Sequence, residues 1–535
     1  MKKNSCGFWL LIILILGFVL RFAFLDRTPA GFHQDEVVNA YVGKFILKNG
    51  FDPYGNKLPI FYFDKWGDYP PVIPMYFAGL GALIFGNNIF AARVVIAFFG
   101  FFTLIINYFF IKKVFNNKNL ALISTLFLAT NFWHINLSRV AAEGVLGLFF
   151  LLMGLFFLFD FDKKIHLLLG SFFLYFTYLI YPGYRVLVPL IFLGLTTFFL
   201  KNRYKNLFLI FLLTVLSFFI NLIIAKTFWG QARFGQTSVL NTVINKQDYY
   251  NQYLFNERSV FLARVFNNKI IYLFKEFLGQ YFSYFSFNFL FLTGGKPNWF
   301  NLPNSGVFYL SYFFLFFLFL VNYQRFFSPL AKKKIDLFFY FLAISVIPAA
   351  LTSELTPHLH RSFPLVVFFI LFSAFGFLIL IRFYSSLSRW LVLLIIIEFI
   401  YCSHNYFQHL SMETAVSRSD GNWQMAVFLR DSRQRFNQVN VYISGWFPIY
   451  YLYFSDDYSP SLVGKIERGM RLKVIDNINF INKDCPTEGE IKNYQQNSLL
   501  IIHSSCQKIE NINFKKVFQI KNVNGTPIYI GYLVK

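Results

Sequence analysis

The sequence carries little charge for its length. Aspartate, glutamate, lysine and arginine make up 14% of the 535 residues, whereas hydrophobic residues make up 56% and phenylalanine alone occurs 77 times. Soluble domains carry charge on about 25% of their residues, so this composition excludes an ordinary soluble protein. Many apolar runs reach the roughly 17–25 residues that a helix needs to cross a bilayer. The composition therefore predicts a polytopic α-helical membrane protein.

Cysteine and glycine-rich motifs are also scarce. The four cysteines include no C-x-x-C pair, which leaves no signature of a metal or thiol-redox site. Cys485 and Cys506 could form a disulfide if the C-terminal region lies outside the cell. No glycine-rich phosphate loop follows a predicted strand, which argues against a soluble nucleotide-sugar donor. The chain also shows no internal repeat and no low-complexity linker.

The charges that are present are unequally distributed. The net charge is +23, and much of the excess lies in short loops between apolar runs. That distribution is the topological signal of a membrane protein, with the lysine-rich loops on the cytoplasmic side. Membrane lipid is therefore the expected anionic partner, and nucleic acid is not expected. Lys2-Lys3 and the apolar run after them are interpreted as an uncleaved first helix of a multi-pass plasma-membrane protein.

Eleven apolar segments are predicted to span the membrane, at 8–25, 92–111, 119–137, 143–159, 165–181, 184–200, 206–225, 305–322, 335–352, 364–381 and 389–404. This threading places the loops 26–91 and 226–304 and the tail after 405 outside the cytoplasm. The run Pro71 to Gly86 is excluded because it contains prolines and because counting it would move the lysine clusters outside. It is expected to form an interfacial or re-entrant helix, as is Ile270 to Leu292.

Polar residues return after residue 405, which predicts two domains. Residues 1–405 form the transmembrane domain, and 406–535 form a small extracytoplasmic α/β domain. A helix is expected at Gln424 to Arg430 and strands at Val439 to Ser444 and Leu499 to His503. Two further strands, Val517 to Ile520 and Pro527 to Tyr532, flank a hairpin turn that ends at Gly525.

An acidic pair follows the first predicted span. Asp35 and Glu36 lie where that span ends and water begins, and Asp68 lies further along the same loop. One interpretation is that the pair caps the next helix, because acidic side chains favour a helix N-terminus. The other is that an ionised carboxylate acts as a general base on a substrate whose tail lies in lipid. Both interpretations fit the pattern.

Cationic side chains occur at the outer ends of several predicted spans. The candidates for binding a phosphate are Arg93, Arg139, Arg185, His358 and Arg361. Any one arginine could snorkel to the interface, and the loop histidines lack the third ligand that a zinc site needs. Taken together, cations and carboxylates at the outer surface suit a lipid phosphate leaving group and a hydroxyl nucleophile. A polyprenyl-phosphate sugar is therefore the expected donor.

In their order and spacing, these motifs resemble the GT-C membrane glycosyltransferases. The nearest groups are glycosyltransferase family 39, which includes the protein O-mannosyltransferases, and the lipid A aminoarabinose transferases. The resemblance covers roughly residues 8–400. It rests on His33-Gln-Asp-Glu36, Gly67-Asp-Tyr-Pro-Pro71, the segment from Phe85 to Arg93, Ser138-Arg139 with Glu143, and Pro357-His-Leu-His-Arg361.

The resemblance implies inverting transfer of a single sugar from a polyprenyl-phosphate donor on the extracytoplasmic face. It assigns the base to Asp35, the family's arginine near the start of the second span to Arg93 and a second carboxylate to Asp68. It implies no obligatory metal, although oligosaccharyltransferases of similar architecture use a divalent cation. The acceptor hydroxyl could belong to a lipid, a protein or a cell-wall glycan.

Two other classes of function remain alternatives. One is a transporter or flippase for a lipid-linked sugar, and the other is a polymerase or ligase of lipid-linked glycans. Transporters usually carry charge near mid-membrane and have related halves. The predicted spans here are almost free of central charge, with Glu398 as the main exception, and their two halves show no similarity. A single-sugar transferase is therefore the preferred prediction.

Overall fold

The computed structural model describes residues 5–160, 163–202, 206–240, 259–266, 268–443, 445–491, 494–506, 509 and 513–535. Its contacts divide the chain into two compact units. Unit 1 consists of Met1–Ala23, Phe98–Ser138 and Ala142–His404, and unit 2 of Phe24–Ala97, Arg139–Ala141 and Asn405–Lys535. The predicted outer loop 226–304 is described only in part, because 241–258 and 267 lie outside the described residues.

Unit 1 is helical. Besides residues 98–115 of helix Ile89–Phe115, its helices are Ser5–Phe22, Lys118–Thr130, Phe132–Arg139, Glu143–Leu158, Lys164–Phe176, Gly183–Asn202, Leu207–Lys226, Phe228–Thr237, Val260–Phe266, Lys269–Ser283, Leu310–Phe326, Pro329–Ile344, Ile347–Ala350, Leu365–Phe383 and Ser385–His404. Each of the eleven predicted spans overlaps one of these helices, and the predicted span 119–137 covers most of the pair Lys118–Thr130 and Phe132–Arg139. Apolar runs of this length therefore correspond to helices in the structure.

Five helices are long and apolar enough to cross a membrane, by length and composition within the described residues. They are Ile89–Phe115, Gly183–Leu200, Leu207–Lys226, Leu365–Phe383 and Ser385–Thr414. A sixth candidate is the pair Lys118–Thr130 and Phe132–Arg139, which bends by 58°. The bend lies at Asn131, whose side-chain oxygen accepts a hydrogen bond from the amide of His134 and so begins a new helix. The protein is a membrane protein, while the count of eleven spans stays a prediction.

The N-terminal part of unit 2 contains two tightly packed helices, Gln34–Asn49 and Ile73–Phe85. Gly43 and Gly79 lie at their contact: a β-carbon on Gly43 would overlap the backbone of Met75, and one on Gly79 would overlap the backbone of Gly43. Small residues permit this close approach of two backbones. The second helix has 13 residues and is therefore about 20 Å long, shorter than a bilayer core of about 30 Å. Its exclusion from the spans agrees with this length, and its interfacial position stays a prediction.

The C-terminal part of unit 2 is a small sheet domain, as predicted. Its strands are β1 Gln438–Tyr442, β2 Val474–Ile475, β3 Ile478–Ile481, β4 Ser498–His503, β5 Phe514–Lys521 and β6 Pro527–Val534. They lie in the order β2-β3-β1-β4-β6-β5, with β1 parallel to β3 and β4 and with β6 antiparallel to β4 and β5. The other α-helices of this part are Leu410–Thr414, Asp420–Ser432, Phe447–Phe454 and Glu488–Ile491.

The predicted strands coincide with β1, β4, β5 and β6, and the predicted helix lies within Asp420–Ser432. Ser444, at the end of the first predicted strand, lies outside the described residues. Cys485 and Cys506 form a disulfide. Residues 24–97 belong to the same compact unit as the tail, so the compact units differ from the predicted domains 1–405 and 406–535. The functional division into these two domains stays a prediction.

Candidate active site

The acidic pair lies at the start of helix Gln34–Asn49. His33 is the N-cap in an extended conformation, and its Nδ1 accepts a hydrogen bond from the amide of Asp35 at 3.2 Å. In return, the His33 amide donates to Oε2 of Glu36 at 2.9 Å. This reciprocal pattern is a capping box, with histidine in the place usually held by serine or threonine. The capping interpretation therefore holds for Glu36.

Glu36 is a buried carboxylate between two buried arginines. Its side chain is 3% exposed, and the side chains of Arg93 and Arg418 are 0% exposed. Nε of Arg93 donates to Oε1 at 2.8 Å, and Nη2 of Arg418 donates to Oε2 at 2.7 Å. Burial lowers the pKa of the Arg418 guanidinium to about 10, even though Glu36 raises it, so Arg418 is charged at neutral pH. One carboxylate and two guanidinium groups therefore form a compact charged cluster.

Arg93 has acceptors within the protein for all of its N–H groups. Besides Glu36, its guanidinium donates to the carbonyl oxygens of Leu25, Pro29 and Gly31 at 2.6–3.1 Å. A guanidinium has five N–H donors, and these bonds use them all. Arg93 thereby ties the loop after the first helix to the start of helix Gln34–Asn49.

Arg139 binds the same loop from another direction. It donates to the carbonyl oxygens of Phe24 and Thr28, with a shortest distance of 2.7 Å, and its side chain is fully buried. The rings of Tyr406 and Phe407 lie 5.7 and 5.5 Å from its guanidinium carbon. Both predicted phosphate-binding arginines of unit 2 are therefore engaged with the backbone of the loop between residues 24 and 31.

Asp35 differs from Glu36 in its exposure. Its side chain is 49% exposed, and its Oδ1 forms a short ion pair with Nζ of Lys65, whose side chain is 7% exposed. Nδ1 of His33 lies 3.4 Å from the other carboxylate oxygen. Burial lowers the pKa of His33, partly offset by the charge of Asp35, so its imidazole is neutral near pH 7 and can accept in the cap. Asp35 is thus accessible to a substrate while its position is held.

Asp68 lies in the turn that presents Lys65. The backbones of Lys65 and Asp68 exchange two hydrogen bonds, at 2.8 and 3.0 Å. Gly67 inside the turn has φ +79°, a conformation that favours glycine. The carboxylate of Asp68 accepts from the Tyr69 amide at 2.9 Å. The structure therefore connects Asp68 to Asp35 through the Lys65 turn, and a catalytic role for Asp68 stays a prediction.

The remaining candidates belong to unit 1, where Arg185 and Arg361 line one cavity of about 380 Å³. Arg185 lies over the ring of Trp229, with its guanidinium carbon 4.8 Å from the ring centroid, and Arg361 donates to Glu354 at 2.7 Å. Apolar side chains and backbone make up much of the remaining wall, together with Asn221 and Gln231. A guanidinium in a largely apolar cavity can bind the phosphate of a lipid.

The two loop histidines are engaged in hydrogen bonds. His358 is buried, and its Nδ1 accepts from the amides of His360 and Arg361 at 3.2 and 3.4 Å. Nε2 of His360 accepts from the amide of Gly144 at 2.6 Å at the start of helix Glu143–Leu158. Both imidazoles therefore shape the loop around Arg361. Within the described residues, no group of three or more His, Cys, Asp or Glu side chains could hold a metal ion.

Sequence reasoning missed two residues of this site, Lys65 and Arg418. Lys65 lies only three positions before Asp68, but nothing in its spacing shows that the loop folds back onto Asp35. Arg418 lies 382 positions after its partner Glu36, in a segment predicted to belong to a separate domain. The only feature of the sequence that could have pointed to Arg418 is its position shortly after the last apolar run.

Known structures resemble this chain along its whole length. ArnT from Cupriavidus metallidurans bound to undecaprenyl phosphate superimposes with a TM-score of 0.54 at 10% identity, covering 99% of this chain and 98% of that one. ArnT in the apo state gives 0.50 at 11% identity, with 98% of both chains covered. The chain has the GT-C fold. No protein-family model and no curated protein matches its sequence.

A second GT-C protein is also similar. AglB, the oligosaccharyltransferase of Archaeoglobus fulgidus, in complex with an inhibitory peptide and a dolichol-phosphate, has a TM-score of 0.48 at 13% identity. The match covers 85% of this chain and 64% of AglB, so the chain spans less than two thirds of the length of that relative.

Proposed function

We propose that this GT-C protein is an inverting glycosyltransferase that moves a single sugar from a polyprenyl-phosphate-linked donor to an acceptor hydroxyl. The observation that carries the proposal is the pair of carboxylates at the start of helix Gln34–Asn49. Glu36 is buried and bound by two arginines, whereas Asp35 is half exposed and held by Lys65. ArnT, which has the same fold, was solved with undecaprenyl phosphate bound, and this supports a donor of that class.

In the proposed reaction, Asp35 accepts the proton of the acceptor hydroxyl. The hydroxyl oxygen then bonds to the anomeric carbon on the face opposite the phosphate, and the bond from that carbon to the phosphate oxygen breaks. The leaving phosphate keeps the electron pair and departs as an anion, so no acid is needed to protonate it. Lys65 keeps Asp35 oriented through their ion pair, so the carboxylate is in place to accept the proton.

The cations are given two different roles. We assign the donor phosphate to Arg185 and Arg361, because both line one largely apolar cavity in unit 1. His358 holds the loop of Arg361. Arg93, Arg139 and Glu36, proposed from the sequence for the chemistry itself, are assigned here to holding the loop that carries Asp35. Their hydrogen bonds to protein groups support that assignment.

The reaction is proposed to occur on the outer face of the plasma membrane. The positive-inside pattern supports that orientation. The disulfide between Cys485 and Cys506 supports it as well, because disulfides persist in oxidising compartments. The acceptor is a hydroxyl of a lipid, a protein or a cell-wall glycan. No obligatory metal is proposed.

The experiment that tests the proposal measures turnover of a labelled donor. Purified protein in detergent should release polyprenyl phosphate from a polyprenyl-phosphate sugar when membrane extract supplies an acceptor. Asp35→Asn should lower this release by about 10²–10⁴-fold, the range expected for loss of a general base. Asp26→Asn removes an exposed carboxylate from the same loop and should have little effect.

Four outcomes would contradict the proposal. Near-normal release by Asp35→Asn would exclude Asp35 as the base. Movement of label across vesicles with the sugar–phosphate bond intact would indicate a transporter, and repeated addition of units to one product would indicate a polymerase. Loss of activity in chelator that Mg²⁺ or Mn²⁺ restores would show that a metal is needed.

A further inference from the structure

Unit 2 contains a cavity that the proposed chemistry does not use. Its volume is about 700 Å³, which lies within the range of roughly 300–1,000 Å³ that is usual for ligand sites. One wall is the turn that includes Asp64, Trp66 and Gly67, and the other walls come from residues 443–482 of the sheet domain. The cavity therefore lies between the first outer loop and the C-terminal part of the same unit.

Two tryptophans form its aromatic surface. Trp66 and Trp446 are both partly exposed and lie in contact with one another at an angle of 59°. The indole N–H of Trp66 is buried and has no hydrogen-bond partner among the described residues. A tryptophan offers a flat apolar face together with one polar donor. That combination suits a sugar ring, which has an apolar face of C–H groups and hydroxyl groups at its rim.

The charged groups of the cavity have a positive excess. Lys473 pairs with Glu467 at 2.7 Å, and Asp64 accepts from the Gly67 amide at 3.1 Å. Arg468 and Arg471 are exposed and make no ion pair within the described residues. Two unpaired guanidinium groups favour a carboxylate or a phosphate, which arginine binds through two parallel hydrogen bonds. The ligand that fits these walls is an anionic saccharide.

The cavity is joined to the candidate base by one residue. Nζ of Lys65, which pairs with Asp35, lies 5.3 Å from the centroid of the Trp66 ring. A saccharide on Trp66 would therefore lie beside the ammonium group that holds Asp35. We propose that this cavity binds an anionic saccharide as the acceptor of the transferase. Its role as the acceptor site rests on the proposed function, whereas the binding of an anionic saccharide does not.

The test uses the full-length protein in detergent and isothermal titration with two trisaccharides. Trigalacturonic acid carries a carboxylate on every ring, and maltotriose is its neutral counterpart. Trigalacturonic acid should bind and maltotriose should bind at least about tenfold more weakly, since one tenfold step corresponds to the strength of a single charge-assisted contact. Arg468→Gln combined with Arg471→Gln should remove this preference, and Trp446→Ala should weaken the binding of trigalacturonic acid.

Two controls separate this proposal from the proposed function. Arg435→Gln removes an exposed guanidinium from the same unit but outside the cavity, and it should bind as the wild type does. Asp35→Asn should keep full binding while it loses donor turnover. Binding without turnover in the wild type would contradict the proposed function but not the saccharide site. Turnover without binding would contradict the saccharide site but not the proposed function.

Several results would overturn the proposal. Equal affinity of the wild type for both trisaccharides would remove the anionic selectivity. An unchanged affinity in the double arginine variant would place the binding elsewhere. Binding of a triglutamate peptide in preference to trigalacturonic acid would identify the ligand as an acidic peptide, and absence of binding by any of these probes would exclude the site.

Discussion

At the scale of single residues, the adjacent carboxylates have opposite environments. Glu36 is enclosed by Arg93 and Arg418, whereas Asp35 reaches solvent beside Lys65. Because successive residues at the start of a helix point in different directions, neighbours in sequence can serve different purposes. The capping interpretation holds for Glu36, which caps the helix and anchors two arginines, whereas Asp35 is half exposed and its role as a base stays a proposal.

The first prediction concerns Glu36→Gln. Removing this charge leaves Arg93 and Arg418 buried without their carboxylate, and breaking a buried ion pair typically costs about 3–5 kcal/mol of the free energy of unfolding. Thermal unfolding in detergent should therefore show a large loss of stability. Asp35→Asn is the matched variant and should cost less, because the Asp35 side chain is 49% exposed and the new amide oxygen can still accept a hydrogen bond from Lys65. Equal stability of the two variants would contradict the assignment.

The second prediction concerns the pH dependence that His33 contributes. Burial lowers the pKa of its imidazole in the folded protein, with Asp35 raising it and Arg418 lowering it further. The unfolded chain therefore binds more protons below about pH 6.5, and the free energy of unfolding falls as the pH drops through that value. Protonation also removes the Nδ1 acceptor of the helix cap.

The measurement is thermal unfolding at pH 7.5 and at pH 5.5. His33→Ser keeps an N-cap acceptor without a titrating group, so it should lose less stability than the wild type between these values. An identical loss in both proteins would show that His33 does not carry this dependence.

The residues of the site could be predicted only in part. Asp35 is identifiable because it follows an apolar run and belongs to a motif. Arg93 and Arg139 were identified as site residues, but their structural role was not predicted. The sequence does not show that their N–H groups donate to backbone carbonyl oxygens. Lys65 and Arg418 depend on chain folding that brings distant segments together, and spacing carries no such information.

At the scale of elements, the packing of helices Gln34–Asn49 and Ile73–Phe85 depends on two glycines. The third prediction is that Gly79→Ala destabilises unit 2, because its β-carbon would overlap the backbone of Gly43. Overpacking of this kind typically costs about 1–3 kcal/mol. Gly279→Ala, in a helix where a β-carbon meets nothing within 4 Å, should be neutral or slightly stabilising. Comparison of the two thermal unfolding temperatures tests this, and equal temperatures would contradict it.

Elements were predictable where their periodicity or length was distinctive. Long apolar runs identify the helices, and two short stretches that flank a turn ending at Gly525, with φ +84°, identify β5 and β6. The helix Phe447–Phe454 was missed because it is buried on every side and has only eight residues, which leaves no amphipathic period to detect. β2 and β3 were missed because they contain two and four residues.

At the scale of the whole molecule, the fourth prediction concerns sidedness and the disulfide. An alkaline phosphatase fused after residue 535 should be active, because the tail is proposed to face outward. Denatured, unreduced protein should expose two thiols to alkylation, those of Cys6 and Cys402, and reduction should expose two more. An inactive fusion, or four thiols before reduction, would contradict the orientation.

The overall architecture was largely predictable, since composition and charge distribution identify a membrane protein with a polar tail. What could not be predicted is that the tail folds together with residues 24–97. For the same reason, deletion of residues 406–535 is a poor test of acceptor recognition. It would also remove Arg418 from Glu36, so substitutions within the 700 Å³ cavity are the cleaner approach.

The ion pair between Glu36 and Arg418 also has a consequence for biosynthesis. Its partners are separated by 382 residues, so the ribosome must make most of the protein before the pair can close. At about 5–20 residues per second, that interval is roughly 20–80 s. During this interval, residues 24–97 carry a charge cluster that lacks Arg418 and apolar side chains that the C-terminal part of unit 2 does not yet cover. The newly inserted chain should therefore depend on chaperones on the side of the membrane where these residues emerge.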